Sequence, residues 1–219
     1  MRINIIPIRN QRAAQAFQPV LAQTKVCGYK NNPLIATRYE MNGRDFFLQP
    51  FFPISPALNF KITGHIARHA HRLAIRVALH GPLPELVMPA PADLPVRRHG
   101  LWEETCFEIF LGVKDSPRYW EFNLSPAGPW NVYRFTGYRQ GMAEETAFTS
   151  LPWRVRRRPD LLLVALELEI ERIVAADQPL AVGLAAVLKF RDHGLTYWAL
   201  THPGPQADFH RRDSFLVEL

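Results

Sequence analysis

The chain has 219 residues, 47% of them hydrophobic and 21% charged, with 19 prolines and a formal charge of +6. It is long enough to bury a large core, its composition is that of a globular rather than a disordered or fibrous chain, and no apolar run reaches the roughly 18 residues of a membrane helix. The many prolines argue for turns and against long helices, so one turn-rich domain leaning toward β-structure is the expectation.

Two cysteines, Cys27 and Cys106, are too few and too far apart for a disulfide framework or a zinc site. The apolar run at the N-terminus breaks at Pro7 and Arg9, short of the about 7–15 apolar residues of a secretory signal, and a cytosolic setting is expected. The positive charge raises nucleic acid as a partner. Its densest clusters, Arg154–Arg158 and Arg68–Arg72, sit in no nucleic-acid-binding motif, however, and read as solvated strand ends or turns; neither a nucleic-acid nor a membrane partner is expected.

In chain order, residues 1–45 read as an irregular lead-in, with a helical turn or two over Arg12–Gln18 ended by Pro19 and turn chemistry at Cys27–Pro33. From Phe46 to Leu219 the pattern becomes short apolar or alternating runs punctuated by Pro, Gly, Asp and Asn, the signature of successive strands. These are expected over Asn59–Thr63, Arg72–His80, Thr105–Leu111, Tyr119–Ser125, Asn131–Thr136, Leu161–Ile170, Ala181–Phe190 and Leu195–Thr201. The proline-rich His80–Gly100 and the stretch Gly137–Pro159 read as loops, and Asp192, His193 and Gly194 as a tight reversal. Eight or more antiparallel strands in a chain of this size predict an all-β fold, an antiparallel β-sandwich of two packed sheets.

One segment does not fit a plain core strand. "GLWEETCFEIFLG" (Gly100–Gly112) carries three glutamates among aromatic residues. Alternation puts Thr105, Phe107, Ile109 and Leu111 toward the core and Trp102, Glu104, Cys106, Glu108 and Phe110 on the other face. The next strand divides the same way, with Tyr119, Glu121, Asn123 and Ser125 opposite the core-like Trp120, Phe122 and Leu124. If the two strands pair, Glu104, Glu108, Glu121 and Asn123 share one face beside Trp102, where carboxylates repel and raise one another's pKa unless cations intervene. Arg134 and Arg139 are the nearest cations in sequence. An aromatic plate beside Glu, Asn and Arg is a chemistry that binds sugars: the ring packs on a C–H face while the polar groups bond to hydroxyls. The plainer alternative has Trp102 capping the sandwich edge and the glutamates paired with arginines on an exposed face.

The ordered segments "GLWEETCFEIFL", "YWEFNLSPAGPWNVYRFTGYRQGM" and "YWALTHPGPQADFHRRDSFLVEL" resemble the bacterial DOMON-like proteins, a group similar to the family 9 carbohydrate-binding modules, over about Phe46 to Leu219. The resemblance implies a two-sheet sandwich whose relatives bind carbohydrate or haem. It implies a sugar end clamped between two tryptophans, for which Trp102 and Trp198 are the candidates, with Trp130 next and Trp120 and Trp153 structural. The expected ligand-binding set is Trp102, Glu104, Glu108, Glu121, Asn123, Arg139 and Trp198. Its ligand would be a soluble saccharide or sugar derivative, and the basic balance mildly favours an anionic one. No resident cofactor or metal is expected; under the haem alternative the iron ligands would come from Met88, Met142, His193, His202 and His210. The oxygen-rich Asp/Asn loop that a structural calcium needs is not evident.

No nucleophile elbow, phosphate-binding loop or dinucleotide fingerprint is present. Glu104 and Glu108, four apart on a strand, stand about 13 Å apart, too far for the paired acids of a glycosidase. Either of them with Glu121 keeps a glycoside hydrolase as the remaining enzyme reading, and a non-catalytic binding domain is preferred. The tail His202–Phe215 reads as a turn before a final strand, with Asp208 and Asp213 pairing adjacent arginines; the alternative has it bordering the pocket.

Overall fold

A computed structural model describes residues 42–55, 59–92 and 95–219; the expected turns at Arg12–Gln18 and Cys27–Pro33 lie outside the described residues. The described chain is an antiparallel β-structure of twelve strands: β1 (Asn42–Pro50), β2 (Lys61–His69), β3 (Arg72–His80), β4 (Cys106–Val113), β5 (Tyr119–Leu124), β6 (Trp130–Phe135), β7 (Ala143–Glu144), β8 (Trp153–Arg158), β9 (Leu161–Glu169), β10 (Leu180–Phe190), β11 (Gly194–Ala199) and β12 (Val217–Glu218).

A back sheet runs β1-β2-β3-β9-β8 and a front sheet β7-β6-β5-β4-β10-β11, with β12 added to the start of β10. Strand β1 belongs to both. Its Asn42–Leu48 portion pairs with β2, and Gln49 and Pro50 then pair with β11, so the one strand bends the structure from sheet to sheet.

Alternation builds the core. In β3 and β9 the inward positions match in register, Leu73 with Leu168, Ile75 with Leu166, Val77 with Val164 and Leu79 with Leu162. The front sheet answers with Phe107, Ile109, Leu111, Trp120, Phe122, Val132, Leu184 and Leu188, which join the same buried cluster. β-branched, leucine and aromatic side chains suit this pleated, half-buried surface.

Several boundaries differ from the sequence reading. The strand expected to end at Thr63 continues to His69, because Gly64 and His65 break the apolar pattern without breaking the ladder to β3. The stretch Gly137–Pro159, expected to be a loop, holds β7 and β8. Strand β8 reads WRVRRR and lacks an apolar run because it is the outer edge of the back sheet, where one face and one backbone edge meet water. Leu101–Glu103, grouped with the strand that follows by alternation, is instead a turn of 3-10 helix entered from Gly100 at φ 75°.

The front sheet departs most from a simple sandwich: β4 and β5 are buried on both faces. On the outer face Phe110, Tyr119, Tyr133, Phe135, Ala185 and Ala199 form a second apolar cluster, roofed by Phe215 and Phe209 from the tail and by Trp102. The tail lies directly on the strands at two glycines. A Cβ at Gly112 would fall on the Arg212 guanidinium, and one at Gly183 would come 2.7 Å from Phe215.

Candidate functional site

Between this roof and the outer face of the front sheet lies an open cavity of about 460 Å³. Strand alternation supplies its floor, since Glu108 of β4 stands opposite Asn123 of β5, and Glu121 of β5 stands opposite Phe110, making the two glutamates diagonal neighbours on one face. Both border the cavity, and both are only 4% exposed. Asn123 is wholly buried behind them and donates to Glu121 Oε1 at 2.7 Å. Beyond Glu108 in register come Ala185 and Ala199, so small side chains stand level with that carboxyl where larger ones would crowd it.

The walls are aromatic. Trp102 is half-buried, set edge-on against His99 and Tyr133 with ring centroids 5.0 and 5.9 Å away. Tyr133 is fixed in turn, its hydroxyl taking a hydrogen bond from Asn131 Nδ2 at 2.7 Å and lying 2.8 Å from His99 Nδ1. Phe135, Tyr197 and Phe209 complete the rim with Met142, Val187, Leu195, Ala207 and the exposed Glu103.

Arg139 enters from the reversal after β6, in a left-handed conformation at φ 52°. Its backbone N–H donates to the Tyr119 hydroxyl at 3.2 Å and its Nη2 to Asp208 Oδ1 at 2.8 Å, while Tyr138 donates to the other oxygen of Asp208. His210 follows in the tail, its ring among Phe110, Tyr119 and Phe135 and its Nδ1 2.8 Å from the Tyr119 hydroxyl. Tyr119, pushed up to about 12 chiefly by burial, keeps its proton at neutral pH, and the other ring nitrogen of His210, Nε2, faces Glu121 Oε2 at 3.8 Å.

Burial dominates the electrostatics. It raises Glu108 well above the usual carboxylate range, Glu121 adding to the rise and Arg139 opposing it. Burial likewise pushes Glu121 up to about 7, against the pull of Asn123 and Arg139. It holds His210 down to about 4 with help from Arg139, so at neutral pH that imidazole is uncharged and the positive charge lining the cavity is that of Arg139.

Of the seven residues expected from sequence, Trp102, Glu108, Glu121 and Arg139 border this cavity, and Asn123 supports Glu121 from behind. Two stand elsewhere. Glu104 follows the 3-10 turn and faces Lys189 Nζ at 3.9 Å, outside the cavity lining. Trp198 is 2% exposed in the inter-sheet core, its Nε1 donating to Thr196, because in β11 it is the neighbouring Tyr197 that alternation turns outward. Trp130 is also a core residue, with the Arg97 guanidinium 4.4 Å above its ring, and Trp120 and Trp153 are buried in the same cluster. Arg134 is exposed and donates to the Glu144 carbonyl.

The tail follows the alternative reading and borders the cavity, where a plain turn before the last strand was preferred. Asp213 pairs with its neighbour Arg211, but Asp208 pairs across the fold with Arg139, which draws Ala207, Phe209 and His210 to the cavity wall. Tyr197 and Phe135 were within reach of strand alternation; no local pattern marks Phe209 or His210, which arrive through tertiary packing. Among the described residues, no group of three or more His, Cys, Asp or Glu side chains converges as a metal site.

No family model matches the sequence, and no curated protein matches it. Among solved structures, the chain is similar to a proposed carbohydrate-binding protein from Bacteroides uniformis, with a TM-score of 0.55 at 10% identity over 77% of this chain and 84% of that one. It also aligns with a family 9 carbohydrate-binding module from Caldicellulosiruptor kristjanssonii in complex with cellotriose, at TM-score 0.46 and 9% identity over 75% of each chain. A structure of such a module from the same organism in complex with glucose gives 0.47 and 10% over 81% of this chain and 83% of that one. At 10% identity the likeness to the Bacteroides uniformis protein is one of fold, and what the chain shares with it is the antiparallel β-sandwich.

Proposed function

We propose that the cavity binds a soluble saccharide or sugar derivative and that the chain is a non-catalytic, DOMON-like binding domain. The observation that carries this reading is the meeting, in one cavity of about 460 Å³, of an aromatic rim (Trp102, Tyr197, Phe209) with a polar floor (Glu108, Glu121, Arg139). A sugar needs both: an apolar C–H face packs on rings, and its hydroxyls bond to fixed charged groups. The cavity is also of the size that small ligands occupy. The described function of the Bacteroides uniformis protein agrees with the reading.

Glu108 and Glu121 are diagonal neighbours on adjacent strands of one face, a spacing that a paired-acid glycosidase also uses, so turnover of nitrophenyl glycosides that is lost in Glu121→Gln would replace the non-catalytic reading. Haem has one observation in its favour, that Met142 and His210 both border the cavity. The rest does not fit: His210 Nδ1 is engaged by Tyr119, and its Nε2, where iron would stand, is turned to Glu121. A Soret band after haem reconstitution would reverse that judgement.

The test of sugar binding is titration with mono- and disaccharides followed by tryptophan fluorescence. Binding should quench emission, and Trp102→Ala should abolish both the quench and the affinity. A glycan array and a thermal-shift sugar screen without hits would sink the proposal.

A further inference from the structure

The floor holds more acid than a neutral sugar needs. Glu108 is 4% exposed, borders the cavity and has no hydrogen-bond partner among the described residues. Glu121, equally buried, has one strong partner, Asn123, and a longer approach to His210 at 3.8 Å. The charged and titratable groups that act on the pair are Arg139 from the reversal after β6, His210 from the tail, and Tyr119, Tyr133 and Cys106 from strands β5, β6 and β4. The tyrosines and Cys106 carry no positive charge, His210 is neutral near pH 7, and Arg139 already spends a guanidinium nitrogen on Asp208.

Resting on the sugar-site reading above, we infer that the ligand presents a protonated amine to Glu108 and Glu121, making it an amino sugar. A hydroxyl offers either carboxyl one hydrogen bond and no charge. An ammonium offers three donors and the counter-charge that lets the two buried carboxyls give up their protons and ionise, and charge-assisted bonds are roughly twice as strong as neutral ones. The walls suit the same group, because the faces of Trp102, Tyr197 and Phe209 attract cations. The +6 charge of the whole chain favours an anionic ligand, but the local arrangement of two buried glutamates reverses that preference. Binding an ammonium lowers the proton affinity of both carboxyls, so complex formation releases protons.

The experiment is calorimetric titration of the full chain with glucosamine, N-acetylglucosamine, glucose, methylammonium and calcium chloride at about pH 6, in two buffers of different ionisation enthalpy. The expected result is glucosamine binding about tenfold or more tighter than the two uncharged sugars, with buffer-dependent heat showing proton release. Glu108→Gln, matched in shape, should bring the ratio close to one. Glu121→Gln gives the same reading should the first variant fail to fold, which thermal melting reports. Equal binding of glucose and glucosamine would overturn the amine inference and leave the sugar reading standing. Binding of methylammonium without any sugar would overturn the sugar reading and keep the ammonium site. Silence from every probe would overturn both. Calcium binding that glucosamine does not displace would replace the amine with a metal ion.

Discussion

The outer faces of the two sheets begin from the same strand chemistry and end in different conditions. On the back sheet, β9 alternates as an amphipathic strand should: Leu162, Val164, Leu166 and Leu168 are buried, while Leu163 and Glu169 are exposed and Ala165 and Glu167 half-buried. On the front sheet, β4 is buried at every position from Cys106 to Val113. Burying one face stabilises the sandwich, and that much the back sheet also does. The second buried face exists because the tail and the 3-10 turn at Leu101–Glu103 cover it. Placing Glu108 and Glu121 there is unfavourable for folding alone, since a buried carboxyl without full pairing costs stability. Glu108 and Glu121 are held buried at a cost to folding, whereas among the described residues the outer face of the back sheet keeps its charged groups in water.

The largest effect expected from this contrast is on packing. Phe110→Ala, on the roofed face, should cost about 3–5 kcal/mol in urea unfolding, whereas Leu163→Ala, 37% exposed on the open face, should cost less than about 1 kcal/mol. Similar losses at the two positions would mean that the roof is not a packed layer.

The pH dependence is next in size, and its sign follows from the two shifted groups. Glu121, raised from 4.5 to about 7, keeps a proton in the folded chain that the unfolded chain has released, so its contribution is present below about 4.5 and is lost as pH rises through 7. Glu108 acts in the same direction. His210, lowered from 6.5 to about 4, works the opposite way: its contribution is present above 6.5 and is lost as pH falls through 4. The two slopes oppose each other between 4.5 and 6.5, and only the carboxyl decline remains above that. Removing one falling limb with Glu121→Gln should let stability rise more steeply with pH from about 4 to 6.5, as urea midpoints across that range will show. A variant profile parallel to the parent's would place the titration elsewhere.

The smallest change in stability is expected at the edge of the back sheet. Replacing Arg154 and Arg156 of β8 with serine should leave the urea midpoint unmoved, because both are exposed and hold no ion pair among the described residues. The change should appear in self-association on sedimentation instead, since charged side chains keep an open edge strand from pairing with another. A stability loss without association would show that these arginines pack rather than guard.

How much of this was legible depended on whether a signal was local. The inward set Phe107, Ile109 and Leu111 and the outward set Glu108, Glu121 and Asn123 followed from period-two alternation, which needs only neighbours in sequence. Strand β8 escaped notice because an edge strand under arginines carries no apolar run. Trp198, expected as the second clamp from its place in a late strand, is sent into the core by the register of β11 against β10, which turns Tyr197 outward. Glu104 was counted with Glu108 on the assumption of an unbroken strand, and the 3-10 turn ahead of β4 breaks that phase.

By itself, the sequence determined the all-β class, the inner faces of most strands and the pairing of Glu108 with Glu121 and Asn123 on one face, all consequences of side-chain alternation. Only the tertiary structure decided that this face would be buried. The tail crosses the sheet at Gly112 and Gly183, and Arg139 reaches across it to Asp208, contacts between residues far apart in the chain that no local periodicity records. That covering turns two acidic side chains into the floor of a cavity, because an enclosed carboxyl loses its water and holds its proton to higher pH.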